Sequence, residues 1–489
     1  MEPKEISVDE IKEAVLIYDA ELKQKKKKEK MLLFMVTIVL LAVFIYMRFF
    51  NTAFQYDDWN GNARIGVKYS TAWVIRYPAY YQGDKEVREI SNMINDDCGP
   101  NVKFIYIEDG IETIDNGAFQ GQDMLAIRLP NTLSYVGSEA FRRCDYLKNV
   151  YWKEAPENTI ISYLAFAYSG LESFSIPDGV TEIGHLAFRY NYRLHTVELP
   201  DTIENIGVGA FAECKKLKNI NIPETLDVLP DLMLAGCTEL EELKFHDNFA
   251  AIGKYALYLT KITEEQFPEN LYYASYVKAT DYEKLDDEYN FVDDILYNKC
   301  YPGNVAEYTT TEYDKELANK YFVKKYEIPI EVFDEPMNSG RIWIEGTYYE
   351  FPMSYEEFLK NDEWILHEES DGDIVSPFWE HKESKRNLQL IFDAKYASNP
   401  IVKGLTVDKE LENSCRIVLP GGILMTCNDM NYYHIAESIK EEAFPVWEQN
   451  WKFSFGSEAY PMECGLNFDW YGNKINRMYI QPKSQEEEK

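Results

Sequence analysis

The stretch VTEIGHLAF (180–188) and its copy IENIGVGAF (203–211) decide the fold of this chain. Two further copies, IETIDNGAF (111–119) and LSYVGSEAF (133–141), precede them. The closing residues recur at intervals of 22 to 25 residues, at Phe119, Phe141, Phe166, Phe188 and Phe211, with Leu234 and Leu257 continuing the series. A fixed period of this length is the sequence signature of a solenoid built from stacked repeats.

A second phrase follows every copy but the last and predicts a strand. Leu217-x-x-Ile220-x-Ile222-Pro223 is a clear example, in which apolar residues alternate and a proline closes the phrase. Proline ends a strand because it has no N–H to donate to the sheet. Each unit has too few apolar residues for a core of its own, so it must stack on its neighbours. The sequence therefore predicts a solenoid with one short strand per 22–25-residue repeat.

These repeats resemble the BspA-type, or Treponema pallidum-type, leucine-rich repeats of bacterial surface proteins. Cys144, Cys214 and Cys237 stand at the position where that family carries a cysteine, three residues after Phe141, Phe211 and Leu234. The resemblance covers about residues 107–268, and it implies recognition or adhesion at a cell surface without naming a ligand. Cys214 and Cys237 occupy equivalent positions of adjacent repeats, which is compatible with a disulfide. The alternative, which we favour, is a ladder of buried free thiols.

An apolar segment near the N-terminus predicts a membrane anchor. Residues 31–47, MLLFMVTIVLLAVFIYM, carry no charge, and six lysines lie between positions 23 and 30. A spanning helix needs about 20 apolar residues, so we expect a transmembrane helix at 31–50. The lysines place the N-terminus in the cytoplasm and the bulk of the chain outside the cell. A cleaved signal peptide is the alternative, but the preceding head is long and no A-x-A site follows.

The remaining sequence divides into further domains. Asp84 predicts the start of a helix with Val87, Ile90, Met93 and Ile94 on one face. Beyond the repeats, alternating segments at 341–351 and 465–480 predict two β-hairpins, and residues 431–443 predict a helix. Ser354 with Glu357 forms a capping box, which predicts the start of a short helix. The predicted organisation is a Lys-rich cytoplasmic head (1–30), a transmembrane helix (31–50), an N-terminal cap (51–106), leucine-rich repeats (107–282) and a C-terminal α+β domain with an antiparallel sheet (283–489).

Composition and motifs exclude several classes of protein. The 489 residues carry a net charge of −33, which argues against nucleic acid as a partner because phosphate binding needs surplus Lys and Arg. The eight cysteines form no C-x-x-C pair, and no H-E-x-x-H, G-x-S-x-G or phosphate-binding loop occurs. The acidic run Glu368–Asp373 does not fit a calcium loop, since Phe378 falls where a carboxylate is required. We therefore expect no enzyme activity, metal or cofactor.

The leading functional hypothesis is protein–protein recognition or adhesion at a bacterial cell surface, with an unknown protein or glycan as partner. The absence of an Asn-x-Ser/Thr sequon favours a bacterial source. The expected contact residues face outward from the inner face of the repeat sheet: Arg128, Asn149, Tyr151, Ser173, Ser175, Thr196, Glu198, Asn219, Asn221, Glu242 and Lys244. A mostly polar stripe of this kind can also be plain solvated sheet.

The alternative hypothesis places function in the C-terminal domain, as an anchored glycan-binding protein or glycan-active enzyme. Its aromatic residues would then stack on sugar rings: Trp364, Trp379, Trp447, Trp451 and Trp470.

Overall fold

The computed structural model describes, with short gaps, residues 23–42, 52–92, 102–277, 308–334, 339–367, 378–393, 401–425 and 450–482. Residues 23–28, 30–32 and 34–42 are helical. Within these described ranges, no helix is both long enough and apolar enough to cross a membrane. The head before residue 23, residues 43–50 of the expected anchor, the acidic run Glu368–Asp373 and the helix expected at 431–443 lie outside the described residues.

The middle of the chain is a solenoid, but each complete repeat contributes two strands, so the prediction of one strand per repeat is wrong. Five of the predicted strands form a front row: Ala126–Arg128, Asn149–Tyr151, Ser173–Ser175, Thr196–Glu198 and Asn219–Ile220. Phe104–Ile107 precedes them in this row, whereas the strand expected around Glu242 and Lys244 is wrong, since residues 241–246 form no strand. A back row runs through the Ile-x-x-Ile-Gly phrase of each repeat: Thr113–Ile114, Tyr135–Val136, Thr159–Ile161, Val180–Ile183, Asn205–Ile206, Val228–Leu229 and Ala251–Ile252.

The back strands escaped prediction because their apolar residues are spaced by three and do not alternate. They exist because successive turns of the chain pair in parallel, as Glu182 and Ile183 do with Asn205 and Ile206. This pairing joins residues more than 20 positions apart, which no local pattern reports. The front row is divided into two sheets, one ending at Asn149–Tyr151 and one beginning at Ser173–Ser175.

A column of stacked phenylalanine rings fills the space between the two rows. Neighbouring ring centroids along Phe119, Phe141, Phe166, Phe188 and Phe211 are 5.3, 4.8, 5.3 and 5.1 Å apart, with the rings nearly parallel. All five side chains are fully buried. Each ring therefore contacts the repeats on both sides, which explains why the period of the phenylalanines is the most regular feature of the sequence.

The described part of the segment before the repeats is built mainly from strands. Thr52–Trp59 and Asn62–Ser70 form an antiparallel pair, and Val74–Tyr77 joins the edge of the front row beside Phe104–Ile107. Lys85–Ile90 is a strand of the back row, between Asn62–Ser70 and Thr113–Ile114, and Tyr80–Tyr81 pairs with it. The helix predicted from Asp84 is therefore wrong, because pairing with two neighbouring strands overrides the helical spacing of Val87 and Ile90.

The last turns of the solenoid lead into the C-terminal region. Tyr273–Val277 pairs with Ala251–Ile252 and with Tyr308–Thr310. The helix Lys315–Tyr326 (α1) follows, then a 3₁₀ turn at Ile330–Asp334; an earlier 3₁₀ turn spans Glu264–Gln266. Helix α1 begins at a cap, where the Asp314 side chain accepts a hydrogen bond from the Leu317 N–H.

The C-terminal region contains the predicted antiparallel sheets. One sheet has the order Thr347–Glu350, Arg341–Ile344, Ile417–Leu419, Ile423–Met425. The other has the order Trp364–His367, Phe378–His381, Asn387–Asp393, Ile401–Asp408, Ile475–Pro482, Tyr460–Phe468, Asn450–Ser457, with Met353–Ser354 beside Ile401–Asp408. Both predicted hairpins are confirmed. A short helix, Tyr355–Phe358 (α2), is capped by the Ser354 side chain.

Candidate functional site

Most of the predicted contact residues lie in two rows along the front strands, while Asn221, Glu242 and Lys244 lie outside any strand. Asn149 pairs with Ala126 and Tyr151 with Arg128 in one sheet. In the other sheet, Ser173, Thr196 and Asn219 form one row, and Ser175 and Glu198 form the second. We call the outward side of these strands the front face. Because paired strands keep the same register within each sheet, side chains from six successive segments face solvent together.

The C-terminal half of the front face forms one open depression of about 480 Å³. Six of the eleven predicted residues line it: Thr196, Glu198, Asn219, Asn221, Glu242 and Lys244. Its apolar floor comes from Val197, Ile220 and Ile222. The structure thus brings together polar side chains that are up to 48 positions apart in the sequence.

Asn221 differs from its neighbours because its side chain already has two partners. Its Nδ2 donates to the Leu199 carbonyl at 2.8 Å, and its Oδ1 accepts from the Leu199 N–H at 2.7 Å. The amide therefore extends the ladder of front strands where the backbone strand has ended. Lys244 and Glu242 lie 3.7 Å apart and form an exposed ion pair, which leaves Thr196, Glu198 and Asn219 as the polar groups open to a ligand.

The N-terminal half of the front face carries aromatic and arginine side chains that sequence reasoning missed. The strands Val74–Tyr77 and Phe104–Ile107 extend the front row by two positions and align Arg76, Tyr106 and Arg128. Their order in one row is Arg76, Tyr106, Arg128, Tyr151. The Arg76 and Arg128 guanidinium carbons lie 5.5 and 5.0 Å from the Tyr106 ring centroid. The available signal was the alternation in KFIYI (103–107), which matches the later strand phrases.

These rings are unusually exposed for large apolar side chains. Tyr151 is 62% exposed, Phe104 49% and Tyr106 40%. Tyr, Trp and Arg are the residue types that contribute most binding energy in protein interfaces. We define Arg76, Phe104, Tyr106, Arg128 and Tyr151 as the aromatic half of the front face, and the residues around the depression as its polar half.

Acidic side chains orient the two arginines. Arg128 donates from Nη2 to both carboxylate oxygens of Asp109, at 2.9 and 3.0 Å, and from Nη1 to the Ile107 carbonyl. The hydrogen bond from Arg128 lowers the pKa of the Asp109 carboxyl below its ordinary value. Arg76 donates from Nε to Glu108, whose second oxygen accepts the Ala79 N–H. The guanidinium groups are thus held in place over the Tyr106 ring.

The structure also shows the surroundings of the candidate metal ligands, the cysteines and two of the tryptophans. Among the described residues, no group of three His, Cys, Asp or Glu side chains could hold a metal ion. Cys214 and Cys237 are buried free thiols, as favoured above. Trp364 and Trp379 are buried, and their Nε1 groups donate to the hydroxyls of Tyr349 and Tyr355. These two rings are therefore core residues, while Trp447, Trp470 and the Trp451 side chain lie outside the described residues.

Comparison with known proteins supports the repeat assignment. A family model described as "BspA type Leucine rich repeat region" matches six copies, over residues 88–163 and 159–277. No curated protein matches the chain.

Solved structures of bacterial leucine-rich repeat proteins match part of the chain. A Bacteroides ovatus leucine-rich repeat protein is 26% identical, with a TM-score of 0.36, over 44% of this chain and 56% of its own. The T. pallidum leucine-rich repeat protein is 22% identical, with a TM-score of 0.34, over 44% and 89%. A leucine-rich cell surface protein from Faecalibacterium prausnitzii is 18% identical, with a TM-score of 0.21, over 42% and 84%.

The chain thus spans little more than half the length of the Bacteroides protein. The family match instead rests on the repeats themselves, whose phenylalanine positions are accounted for by the stacked column described above. Residues 88–277 of this chain therefore belong to the BspA-type leucine-rich repeat family.

Proposed function

We propose that this chain is a recognition or adhesion protein that binds a protein partner through the front face of its solenoid, without catalysing a reaction. The observation that carries the proposal is the arrangement of that face, where exposed Tyr and Arg side chains at one end adjoin an open polar depression at the other. Membership of the repeats in the BspA-type family supports the same function, and stacked solenoids commonly bind along such extended surfaces.

We also propose that residues 31–50 anchor the protein in a membrane, with the Lys-rich head in the cytoplasm and the solenoid outside the cell. The uncharged run at 31–47 and the lysines before it support this topology. Protease treatment of intact cells tests it, because the solenoid should be digested while an epitope added before residue 23 stays protected. Protection of the solenoid would contradict the topology.

The binding role is tested by isolating a partner with the full-length protein and measuring its affinity for matched variants. Tyr151→Ala removes the most exposed ring of the front face, and we expect binding to weaken by about tenfold or more, as for a central aromatic contact. Tyr146→Ala is the control, since Tyr146 is 54% exposed but lies in the turn before the strand. Equal affinity of both variants and the wild type would place the binding site elsewhere.

A further inference from the structure

The two halves of the front face carry opposite charge. In the aromatic half, the seven-residue segments 73–79, 103–109, 125–131 and 148–154 contain five Lys or Arg and three acids. In the polar half, the matching segments 172–178, 195–201, 218–224 and 241–247 contain two Lys and eight acids. The N-terminal half is therefore locally positive in a chain whose net charge is −33, and the C-terminal half is strongly negative.

The open hydrogen-bonding groups follow the same division. Arg76 is the more accessible of the two arginines of the aromatic half, with 70% of its side chain exposed against 25% for Arg128. Its Nε bonds Glu108, and its two Nη groups make no hydrogen bond to the part of the chain that the structure describes. In the polar half, the exposed Glu198 carboxylate likewise forms no ion pair with any described residue. Open donors on Arg76 and an open acceptor on Glu198 thus lie in opposite halves of one surface.

The separation of these groups sets the size of a ligand that reaches both. Arg76 and Glu198 lie five front strands apart, which corresponds to about 24 Å at the usual spacing between neighbouring strands of a sheet. An extended polypeptide covers that distance with about seven residues. The exposed rings of Tyr106 and Tyr151 lie between the two charges and offer apolar contact area.

We propose that the front face binds a charge-polarised protein segment, whose acidic and apolar side chains lie over the aromatic half and whose basic side chains lie over the polar half. This inference rests on the proposed function, and it adds the chemistry and the direction of the partner. A neutral glycan offers no charge to either end. A sulfated or otherwise anionic glycan is repelled by the polar half, so a polypeptide with both signs of charge fits best.

A random-peptide display library, selected on the full-length protein at low salt, tests the inference. We expect enriched peptides with acidic and apolar residues at one end and Lys or Arg at the other. Their binding should weaken as salt is added, because exposed charge pairs are screened. Enriched peptides without that order of charges, no enriched peptides, or binding of array glycans in their place would overturn the inference.

Charge reversal locates the two ends. Arg76→Glu should weaken the enriched peptides by about tenfold, since it places like charges opposite each other. Arg88→Glu is the matched control, because it changes the net charge by the same amount. The Arg88 side chain is 49% exposed and lies on the strand Lys85–Ile90 of the back row, away from the front face. Glu198→Lys should also weaken binding of the same peptides, because their basic end would then face a lysine. Equal losses for Arg76→Glu and Arg88→Glu would show a general charge effect and contradict the assignment.

Folding and the proposed function are checked separately. Circular dichroism and the melting temperature verify each variant, and Arg76→Gln supplies a milder change if the reversal does not fold. If a native partner loses affinity for Tyr151→Ala but not for Arg76→Glu or Arg76→Gln, the proposed function stands and the polarised segment is wrong. If the peptides bind as expected while the native partner ignores Tyr151→Ala, the proposed function fails at the front face instead.

Discussion

At the residue scale, the position three residues after the closing Phe or Leu donates a side-chain hydrogen bond to the preceding repeat in five successive repeats. In the repeats that carry cysteine, the thiols of Cys144, Cys214 and Cys237 donate to the carbonyl of the phenylalanine one repeat earlier. Ser169 and Asn191 do the same in the two repeats between Cys144 and Cys214. The repeat therefore requires a small buried donor, and cysteine is one way to supply it.

The buried thiols lead to a prediction about reactivity and pH. Burial raises the pKa of Cys214 to about 12 from an ordinary value of 9.0, and it also raises the pKa of Cys237. Few thiolates exist at pH 8, so iodoacetamide should leave both residues unmodified in the native protein and label them in denaturant, as read by peptide mass mapping. Labelling of the native protein would contradict their burial.

The raised pKa of Cys214 also makes the unfolding free energy depend on pH. A raised pKa in the folded state means that the unfolded chain loses its proton first as pH rises. The contribution of Cys214 to the unfolding free energy should therefore be fully present below about pH 9 and lost between pH 9 and about 12.

The glycine of the Ile-Gly phrase is fixed by close approach between turns of the solenoid. A Cβ added to Gly207 would lie 2.3 Å from the His185 nitrogen and 2.6 Å from the Gly184 carbonyl carbon. Gly121 is different, since it has a φ of +72° and open space around it. One glycine is thus required by contact with the preceding repeat and the other by its own backbone conformation.

Substitution by alanine should separate these two causes. We expect Gly207→Ala to lower the unfolding free energy by more than about 2 kcal/mol, because backbone atoms of the neighbouring repeat must move. Gly121→Ala should cost about 1 kcal/mol, the strain of a left-handed residue with a side chain. Chemical denaturation measures both. Similar losses for the two variants would show that the contact with the preceding repeat is not the cause.

At the element scale, helix α1 joins the solenoid to the C-terminal sheets. Its Phe322 lies in one cluster with Tyr272 of the solenoid and Trp343 of the first C-terminal sheet. On the solenoid side, Tyr321 donates to Asp227 at 2.9 Å, and Lys325 lies 3.3 Å from the same carboxylate.

The other end of helix α1 is held by an ion pair in the C-terminal region. Arg416 donates to the buried Glu345 carboxylate and to the carbonyl of Tyr326, the last residue of the helix. The helix therefore belongs to the cores of both regions, although its own sequence shows only weak amphipathic character.

Removal of the central ring of this cluster should loosen both regions. We expect Phe322→Ala to lower the unfolding free energy by about 3–5 kcal/mol, the range for a fully buried phenylalanine. Limited proteolysis should then cut between the solenoid and the C-terminal sheets. Lys320→Ala is the control on the same helix, since its exposed pair with Glu316 contributes little. Intact cooperative unfolding with an unchanged midpoint would show that α1 is not part of a shared core.

At the scale of the whole molecule, net charge and repeat stacking oppose each other. The net charge of −33 favours expansion through self-repulsion, whereas the phenylalanine column and the paired strands hold successive repeats together. The aromatic half of the front face is locally positive, although the chain as a whole is strongly negative. The net charge of the chain therefore does not predict the charge of this part of the front face.

Salt should therefore stabilise the protein. Raising NaCl from 10 to about 300 mM shortens the Debye length from about 30 Å to below 8 Å, which screens the repulsion among acids. We expect the melting temperature to rise over this range, measured by calorimetry, with KCl as the check for an ion-specific effect. A falling melting temperature would mean that ion pairs between the repeats outweigh the repulsion.

The sequence by itself determined the repeats, the front strands, both hairpins and the cap of helix α2. These features depend on short-range patterns: the fixed period of Phe188 and Phe211, the alternation after them, and a Ser354 followed by Glu357. In a solenoid each repeat contacts its neighbours, so one period of sequence already specifies most of the contacts it will make.

Only the tertiary structure decided the features that join distant or unlike segments. The back strands, the strand Lys85–Ile90 and the two extra front strands exist because parallel neighbours supply their hydrogen bonds, whatever the local spacing favours. The same register brings the Asn221 side chain to the backbone of Leu199. It also sets Tyr106 between Arg76 and Arg128. Local pattern therefore fixed the repeating unit of this protein, while long-range pairing decided which side chains share its front face.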